Sequence, residues 1–226
     1  MSTVHLSIIV PVLNEGVRIA ETLKALAPLR ARGVQVIMVD GGSEDDSLAQ
    51  AKPWVDHALV GPAGRARQMN TGAALAQGNV LLFLHADTQL PAAADTLILA
   101  ALDAGARWGR FDVYIEGRSP MLRVVARMMN LRSRLSGVAT GDQAIFVQRA
   151  AFDTVGGFPD QALMEDIEIS KRLGCLSPPA CLHARVCTSG RRWERYGVWR
   201  TIVLMWRLRW HYWLGASPEQ LAKTYP

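Results

Sequence analysis

The first hundred residues alternate between short apolar runs and longer segments in which alanine and leucine recur at helical spacing. Each apolar run is rich in β-branched residues and ends in turn-forming or polar residues, which is typical of buried strands. These runs predict strands at residues 6–13, 34–40, 57–60 and 79–85. The other segments predict helices at residues 17–30, 44–51, 65–77 and 91–104.

Strands that alternate with helices of this length favour right-handed crossovers and a mainly parallel sheet with helices on both faces. The regular alternation ends after Arg107, and further strands are predicted at residues 107–116, 142–148 and 180–188. The predicted fold class is therefore α/β, a mainly parallel mixed sheet covered by helices, with additional C-terminal helices. No Ser/Gly/Pro-rich linker divides the chain, so we expect one domain over residues 1–226, with halves at 1–106 and 107–226.

Composition excludes several classes of protein. With 50% hydrophobic and 20% charged residues, the 226-residue chain can bury a full core, which excludes intrinsic disorder. No internal period recurs and no apolar run approaches the roughly 18 residues of a membrane span, which excludes a solenoid and an integral transporter. The first apolar run lacks a preceding basic stretch and contains Pro11, so we interpret it as a strand of a cytoplasmic protein. The three cysteines are six residues apart and are interpreted as reduced thiols.

The net charge of +5 is concentrated at the C-terminal end of the chain. Residues 183–226 contain eight Arg or Lys and two Glu, a local charge of +6. Arginine outnumbers lysine 21 to 4, and arginine suits flat, bidentate partners such as phosphate. We therefore expect a phosphate-rich partner, although a compositional bias toward arginine explains the exposed arginines equally well. No nucleic-acid-reading motif is present, so no nucleic acid is expected.

Polar residues cluster where the predicted strands end. In open α/β sheets ligands bind outside the carboxyl ends of the strands, and a core strand needs no acid at its tip. Helix capping is the alternative role for such residues. The residues concerned are Asn14, Glu15, Asp40, Gly41, Gly42, His85 and Asp87.

Two further segments suit an anion and a cation. Gly64-Arg65-Ala66-Arg67-Gln68-Met69-Asn70 begins a helix, where two arginines and free backbone N–H groups would suit a diphosphate. His85, Asp87 and Gln89 follow an apolar strand at alternate positions. A hard divalent cation that bridges substrate phosphates needs only one carboxylate and an amide from the protein, here Asp87 and Gln89. A solvated helix face and an ordinary turn are the alternatives.

Met164-Glu165-Asp166-Ile167-Glu168 places three acids at the start of a predicted helix in the second half of the chain. Such crowding raises the pKa of a carboxylate and makes it suitable as a general base. Favourable interaction with the helix dipole is the alternative explanation.

Together these motifs resemble the family 2 glycosyltransferases, whose fold is the nucleotide-diphospho-sugar transferase type called GT-A. The segment Ile8-Ile9-Val10-Pro11-Val12-Leu13-Asn14-Glu15 is similar to the family's first strand, and Val39-Asp40-Gly41-Gly42-Ser43 to its second. The resemblance implies a nucleotide-sugar-binding first half and an acceptor-binding second half. The small size, His85-Ala86-Asp87-Thr88 and Arg191-Arg192-Trp193 look most like a small bacterial subgroup linked to arsenosugar biosynthesis.

The resemblance also implies roles for individual residues. On the donor side it implies that Pro11, Asn14, Glu15, Asp40, Gly42, Arg65, Asn70 and His85 lie around the nucleotide-sugar. His85-Ala86-Asp87 corresponds to the metal motif, so Asp87, with Gln89, would bind Mg²⁺ or Mn²⁺. Asp166, paired with Glu165, would be the base of an inverting transfer. On the acceptor or diphosphate side the implied residues are Gly141, Asp142, Gln143, Arg191, Arg192 and Trp193.

Two positions depart from the family pattern. His85 replaces the first aspartate of the metal motif. Whether this position binds the metal therefore stays open, and Asp87 becomes the main candidate ligand. Ser189 stands where the family's glutamine-x-x-arginine-tryptophan motif has its glutamine. That motif accompanies processive synthases with transmembrane helices, which this chain lacks, so we expect a single transfer per encounter. A sugar-1-phosphate nucleotidyltransferase and a non-catalytic nucleotide-sugar-binding scaffold remain the alternatives.

Two segments bear on the acceptor. Methionine, leucine and valine recur at helical spacing from Met121 to Leu135, and residues 199–214 interleave tryptophan with arginine. Helices of this composition suit a bilayer interface, where a lipid-linked acceptor would be met, although such stripes pack in protein cores more often. The expected partners are therefore a nucleotide-sugar donor and a small-molecule or lipid-linked acceptor, with peripheral contact at the inner face of the membrane left open. Ser217-Pro218-Glu219-Gln220 predicts a capped final helix.

Overall fold

The apolar runs at residues 6–12, 35–40 and 80–83 form strands that are buried on both faces, whereas the strand at residues 57–60 is partly exposed. The computed structural model describes residues 5–225, and within that range the strands form one mixed sheet. The strands are β1 (Leu6–Val12), β2 (Gln35–Asp40), β3 (His57–Val60), β4 (Val80–Phe83), β5 (Thr88–Gln89), β6 (Trp108–Glu116), β7 (Ile145–Gln148) and β8 (Ala180–Ser189).

The strand order is β3-β2-β1-β4-β7-β6-β8-β5. The first four strands in this order are parallel, and so is the pair β6 and β8. Strand β7 runs antiparallel between β4 and β6, and β5 runs antiparallel to β8. The predicted α/β class with a mixed, mainly parallel sheet is confirmed, and the carboxyl ends of β1, β2, β3 and β4 lie along the same sheet edge.

Helices cover both faces of the sheet. They are α1 (Ile19–Lys24), α2 (Ala27–Ala31), α3 (Ser47–Ala51), α4 (Arg65–Leu75), α5 (Ala94–Asp103), α6 (Met121–Ser136), α7 (Arg149–Thr154), α8 (Glu165–Gly174), α9 (Arg191–Tyr196), α10 (Val198–Trp213) and α11 (Pro218–Ala222).

Four predicted elements are wrong in detail. The helices predicted over residues 44–51 and 91–104 begin only at Ser47 and Ala94. The helix predicted over residues 17–30 is two helices, because Pro28 lacks the N–H that a continuous helix needs and occupies the first turn of α2. The strand predicted over residues 142–148 starts only at Ile145, because Gly141–Gln143 forms a 3₁₀ turn with Thr140 as its cap. The predicted cap of α11 is confirmed, since the Ser217 hydroxyl accepts a hydrogen bond from the Gln220 N–H at 3.3 Å.

The alternation of side chains along β1 divides the core between the two sheet faces. Ile8 and Val10 pack with the larger hydrophobic cluster, whereas Ile9 packs with Phe83 and Trp108 on the opposite face. A sheet buried on both faces leaves its strand ends and the loops beyond them as the places where polar side chains meet solvent.

Candidate active site

The loop after β1 is held against the loop after β2 by hydrogen bonds. Asn14 has a positive φ of 53°, its N–H donates to Ser43 Oγ at 2.8 Å, and its Oδ1 accepts from the Glu44 N–H at 2.9 Å. Pro11 lies buried in β1 just beyond the last residue paired with β4, where its missing N–H leaves the strand ladder intact. Asn14 therefore positions the two loops relative to each other.

Asp40 is a buried carboxylate at the end of β2. Its Oδ1 accepts hydrogen bonds from the N–H groups of Gly42 at 3.0 Å and Ser43 at 2.7 Å. Gly42 has a φ of 95°, which favours glycine at this turn. Asp40 thus forms the tight turn as well as placing a carboxylate at the sheet edge.

Gln68 is a buried residue that the sequence prediction of the site missed. From α4 its Nε2 donates to the carbonyl oxygens of Val12 at 2.7 Å and Val39 at 2.8 Å, which joins the ends of β1 and β2. No local sequence pattern predicts this contact, because Val12 and Val39 are 27 residues apart and Gln68 lies 29 residues after Val39.

Arg191 connects carboxylates from two loops at the sheet edge. Its Nη2 lies 3.1 Å from Glu15 Oε2 and 3.7 Å from Asp87 Oδ2. Glu15 follows β1 and Asp87 follows β4, whereas Arg191 begins α9 from the second half of the chain. The structure therefore brings together three residues that the motifs placed at the donor and diphosphate sides.

His85 and Asp142 join the β4 loop to the 3₁₀ turn before β7. His85 Nδ1 lies 3.2 Å from Asp142 Oδ1, and the His85 ring packs so closely on Gly141 that a Cβ there would overlap it. Burial opposes ionisation of Asp142, but the hydrogen bond to His85 and the positive charges of Arg65 and Arg192 hold its pKa below the ordinary value. His85 thus faces Asp142.

Asp166 lies in the first turn of α8 and faces the same turn. Its Oδ2 accepts a hydrogen bond from the Gly141 N–H at 3.0 Å, and its Oδ1 accepts one from the Ile167 N–H at 2.7 Å. Burial and the adjacent Glu165 raise the pKa of Asp166 to about 6, against the opposing effects of these hydrogen bonds and of Arg65. Asp166 is therefore a carboxylate that can take up a proton near neutral pH.

Glu165 differs from its neighbour in its surroundings. Its side chain is 5% exposed, and its Oε1 lies 3.5 Å from Arg65 Nη1. A small cleft contains both acids and the residues that face them, namely Arg65, Met69, Phe83, His85, Gly141, Ile145, Phe158, Glu165 and Asp166. This cleft unites the predicted base, the start of α4 and the β4 loop.

Four of the predicted site residues do not line this cleft. Asn70 uses both ends of its amide on the backbone of Phe158, at 2.8 and 3.0 Å. Gln143 is fully buried, with its Oε1 3.1 Å from the Thr140 nitrogen. Gln89 is exposed in β5, opposite Cys187, and Trp193 packs against the main core.

Two arginines add positive charge near the predicted base and metal carboxylates. Arg132 of α6 interacts electrostatically with Asp166 and Asp142, and its Nε and Nη2 are buried without a hydrogen-bond partner among the described residues. Arg192 of α9 interacts with Asp142 and Asp87 in the same way. Burial lowers the pKa of both guanidinium groups. The sequence motif indicated Arg192, whereas no motif indicated Arg132.

Comparison with known proteins decides the family. The model of glycosyl transferase family 2 matches residues 7–153, which include β2 to β7 and all of β1 except Leu6. The chain belongs to glycosyl transferase family 2. A PGL/p-HBAD biosynthesis glycosyltransferase of Mycobacterium tuberculosis (strain ATCC 25618 / H37Rv) is 31% identical over 80% of this chain and 73% of the relative. The protein is therefore an enzyme, a glycosyltransferase, as the resemblance predicted.

Other relatives are longer than this family 2 glycosyltransferase. The probable glycosyltransferase YdaM of Bacillus subtilis (strain 168) is 25% identical over 90% of this chain, which spans 53% of YdaM. The mannosyltransferase PcManGT of Pyrobaculum calidifontis, solved with GDP-Man and Mn²⁺, has a TM-score of 0.61 at 19% identity, over 83% of this chain and 57% of PcManGT. This likeness shows the GT-A fold.

Proposed function

We propose that this glycosyltransferase moves a sugar from a nucleotide-diphosphate donor to an acceptor hydroxyl, with inversion at the anomeric carbon. The observation that carries the proposal is Asp166, an acid with a pKa of about 6 in a cleft with Arg65, His85 and Gly141. Such a carboxylate is ionised at neutral pH and still accepts a proton effectively. No covalent intermediate with the enzyme is needed, because the nucleophile is the acceptor hydroxyl itself.

In the proposed reaction the acceptor hydroxyl attacks the anomeric carbon as its proton passes to Asp166. A carbon–oxygen bond to the acceptor forms, and the bond to the donor diphosphate breaks, with the electron pair leaving on the diphosphate. The hydrogen bonds from Gly141 and Ile167 hold the Asp166 carboxylate in one orientation and leave lone pairs on both oxygens for the incoming proton.

The donor is proposed to bind along the sheet edge formed by the ends of β1, β2 and β4. Asp40 and Glu15 offer carboxylates to ribose or base hydrogen-bond donors. Arg65, Arg191 and Arg192 offer guanidinium groups to the diphosphate, whose charge grows as it departs. PcManGT, whose fold this chain shares, was solved with a nucleotide-sugar, which supports a donor of this class.

The protein alone offers too few ligands at this sheet edge for a divalent cation, so the bound donor would have to supply others. Within residues 5–225 no group of three His, Cys, Asp or Glu side chains could hold a metal ion. Asp87 is 30% exposed and available to share a cation with phosphate oxygens, as is usual for Mg²⁺ or Mn²⁺. When bound, such a cation would neutralise charge on the diphosphate. Asp87 fits this role, whereas Gln89 has no contact that supports it.

Binding and turnover, measured on the same variants, test the proposal. Thermal shift with a panel of nucleotide-sugars and Mn²⁺ first identifies the donor, since a ligand of the folded state raises Tm. We expect Asp166→Asn to lower donor turnover by about 100- to 10,000-fold while the Kd for the donor changes little. Asp87→Ala should abolish the Mn²⁺-dependent part of nucleotide binding in calorimetry. Asp153→Asn, on the exposed part of α7, is the matched control for charge removal.

Other results would favour the alternatives. Turnover by Asp166→Asn within threefold of wild type would remove this residue as the base. Donor binding without hydrolysis or transfer would favour a non-catalytic scaffold. Release of pyrophosphate from a nucleoside triphosphate and a sugar phosphate would favour a nucleotidyltransferase. Unchanged Mn²⁺-dependent binding by Asp87→Ala would contradict the metal assignment.

We also propose that α10 contacts an anionic lipid surface at the inner face of the membrane. No helix in the described part of the chain is long and apolar enough to cross a bilayer, so the contact would be peripheral. One stripe of α10 exposes large apolar side chains at spacings of three and four residues. These side chains are Trp199, Val203, Trp206, Trp210 and Trp213, each at least 54% exposed.

The charge pattern of α10 indicates anionic lipid as the occupant of this stripe. At about 100° per residue, Arg200 and Arg207 lie on one side of the stripe and Arg209 on the other. No Asp or Glu occurs between Glu194 and Glu219. Tryptophan rings with flanking arginines match the interface of an anionic bilayer, where each cation near the surface adds about 1 kcal/mol.

Sedimentation with vesicles tests the lipid contact. We expect the wild type to sediment at low salt with vesicles that contain phosphatidylglycerol and not with pure phosphatidylcholine. Trp206→Ala with Trp210→Ala should lower the bound fraction several-fold, whereas the control pair Val60→Ala and Leu75→Ala, exposed elsewhere, should bind as wild type. The absence of sedimentation at low salt would refute the contact. It would also be refuted if the wild type is a dimer in solution and the tryptophan variant is a monomer, because the stripe would then be a dimer interface.

A further inference from the structure

A second and larger cavity lies at the C-terminal end of the chain, beside α9 and α10. Its volume is about 320 Å³, within the range of small-molecule sites. The family model ends at residue 153, so it includes none of the side chains that line this cavity. They are Arg192, Arg195, Tyr196, Arg200, Thr201, Leu204 and Tyr225.

The charged lining of this cavity is entirely cationic. Arg192, Arg195 and Arg200 line it without any carboxylate. Among the described residues none of the three has an ion pair or a hydrogen bond to its guanidinium group. Like charges gathered in a concave site raise its positive potential and favour an anion with several acceptor oxygens. A phosphate group meets this description.

Aromatic rings orient two of these guanidinium groups and add an apolar wall. The Arg192 Cζ lies 4.2 Å from the centroid of the Tyr225 ring, and the Arg195 Cζ lies 5.4 Å from that of Tyr196. Stacking of this kind limits the rotation of the side chain and leaves its N–H groups free for another partner. Together with Leu204 the rings suit an apolar group joined to the phosphate.

Arg192 connects the cavity to the site of transfer. It lines the cavity and also interacts electrostatically with Asp142 and Asp87, which belong to the candidate active site. Arg191, the preceding residue, contacts Glu15 and Asp87. An occupant of the cavity would therefore lie beside the bound donor.

We propose that this cavity binds a phosphate ester with an apolar substituent, as the anchoring group of the acceptor. The proposal rests on the transferase function proposed above, because it places the acceptor hydroxyl near Asp166 by holding the acceptor's phosphate. A short soluble ester and a lipid phosphate share this chemistry, and their relative affinities distinguish them.

Calorimetry on the full chain with three probes tests the proposal. We expect phenyl phosphate to bind at least tenfold tighter than inorganic phosphate, and benzyl alcohol to show no binding. Geranyl phosphate that binds over tenfold tighter than phenyl phosphate would identify a lipid as the source, and equal affinity would identify a small ester. Arg195→Gln with Arg200→Gln should weaken phenyl phosphate at least tenfold. The control Arg123→Gln with Arg127→Gln, exposed on α6, removes the same charge and should change the Kd less than twofold.

Measurement of Mn²⁺-dependent nucleotide binding on the same variants separates this cavity from the donor site. We expect the Arg195/Arg200 variant to bind nucleotide as the wild type does. Equal loss of nucleotide and phenyl phosphate binding would overturn the proposal, and so would equal affinity for phenyl phosphate and inorganic phosphate. If no nucleotide binds while phenyl phosphate still requires Arg195 and Arg200, the transferase proposal fails and the anion site stands.

Discussion

Two adjacent acids at the start of α8 have different surroundings. Glu165 is nearly inaccessible and pairs with Arg65, whereas Asp166 faces Gly141 and carries a raised pKa. The sequence predicted the acidic pair and preferred Asp166 through the family resemblance. The ion pair between Arg65 and Glu165 joins residues 100 positions apart, so no local sequence pattern predicts it.

The raised pKa predicts the acidic limb of the pH profile. Asp166 accepts a proton only when ionised, so donor turnover at saturating donor should be constant above pH 7 and fall below about pH 6. The loss should approach tenfold per pH unit. Because Arg65 lowers the pKa of Asp166, Arg65→Gln should move this limb to higher pH.

Arg67→Gln is the matched control for this measurement. Arg67 lies two residues after Arg65, about 200° around α4, and pairs at the surface with Asp160 at 2.7 Å. Its pH profile should match that of the wild type. An acidic limb that stays in place when Arg65 is replaced would show that Asp166 is not the titrating group.

At the scale of elements, strands were predicted more accurately than loops. The ends of β1 to β4 differ from prediction by at most two residues, because the apolar runs that define buried strands are local in sequence. The loops after β1 and β2 depend instead on hydrogen bonds between Asn14, Ser43 and Glu44, which the sequence pattern does not reveal. These loops nevertheless carry Glu15 and Asp40, whose types and positions after strands did predict the donor edge.

Gln68 shows how one side chain holds two elements together. Gln68→Ala would remove two buried hydrogen bonds, to the carbonyls of Val12 and Val39, each worth about 0.5–1.5 kcal/mol. The Val12 carbonyl keeps its hydrogen bond from the Gly41 N–H at 2.9 Å, so it is not left unpaired. We expect the free energy of unfolding in urea to fall by about 1–3 kcal/mol. Gln50→Ala, which removes an exposed bond to Asp46, should change it by less than about 0.5 kcal/mol. Equal effects of the two variants would contradict the role of Gln68.

At the scale of the whole molecule, the structure shows where the C-terminal arginines lie. The C-terminal arginines divide between the donor edge, the 320 Å³ cavity and the exposed stripe of α10. Composition predicted a phosphate-rich partner but gave no position for it. The cavity depends on Tyr225 packing against Arg192 across 33 residues, which only the folded chain shows.

Helix α10 has two faces with different surroundings, and Arg200 lies between them. Arg200, Thr201 and Leu204 point to the cavity, while Trp199, Val203 and Trp206 point outward. If α10 rests on a bilayer through the outward face, as proposed above, the cavity would lie next to the membrane surface, because Arg200 lines the cavity and also flanks the exposed stripe. The encounter between enzyme and a lipid-borne acceptor then becomes a search across a plane instead of through a volume.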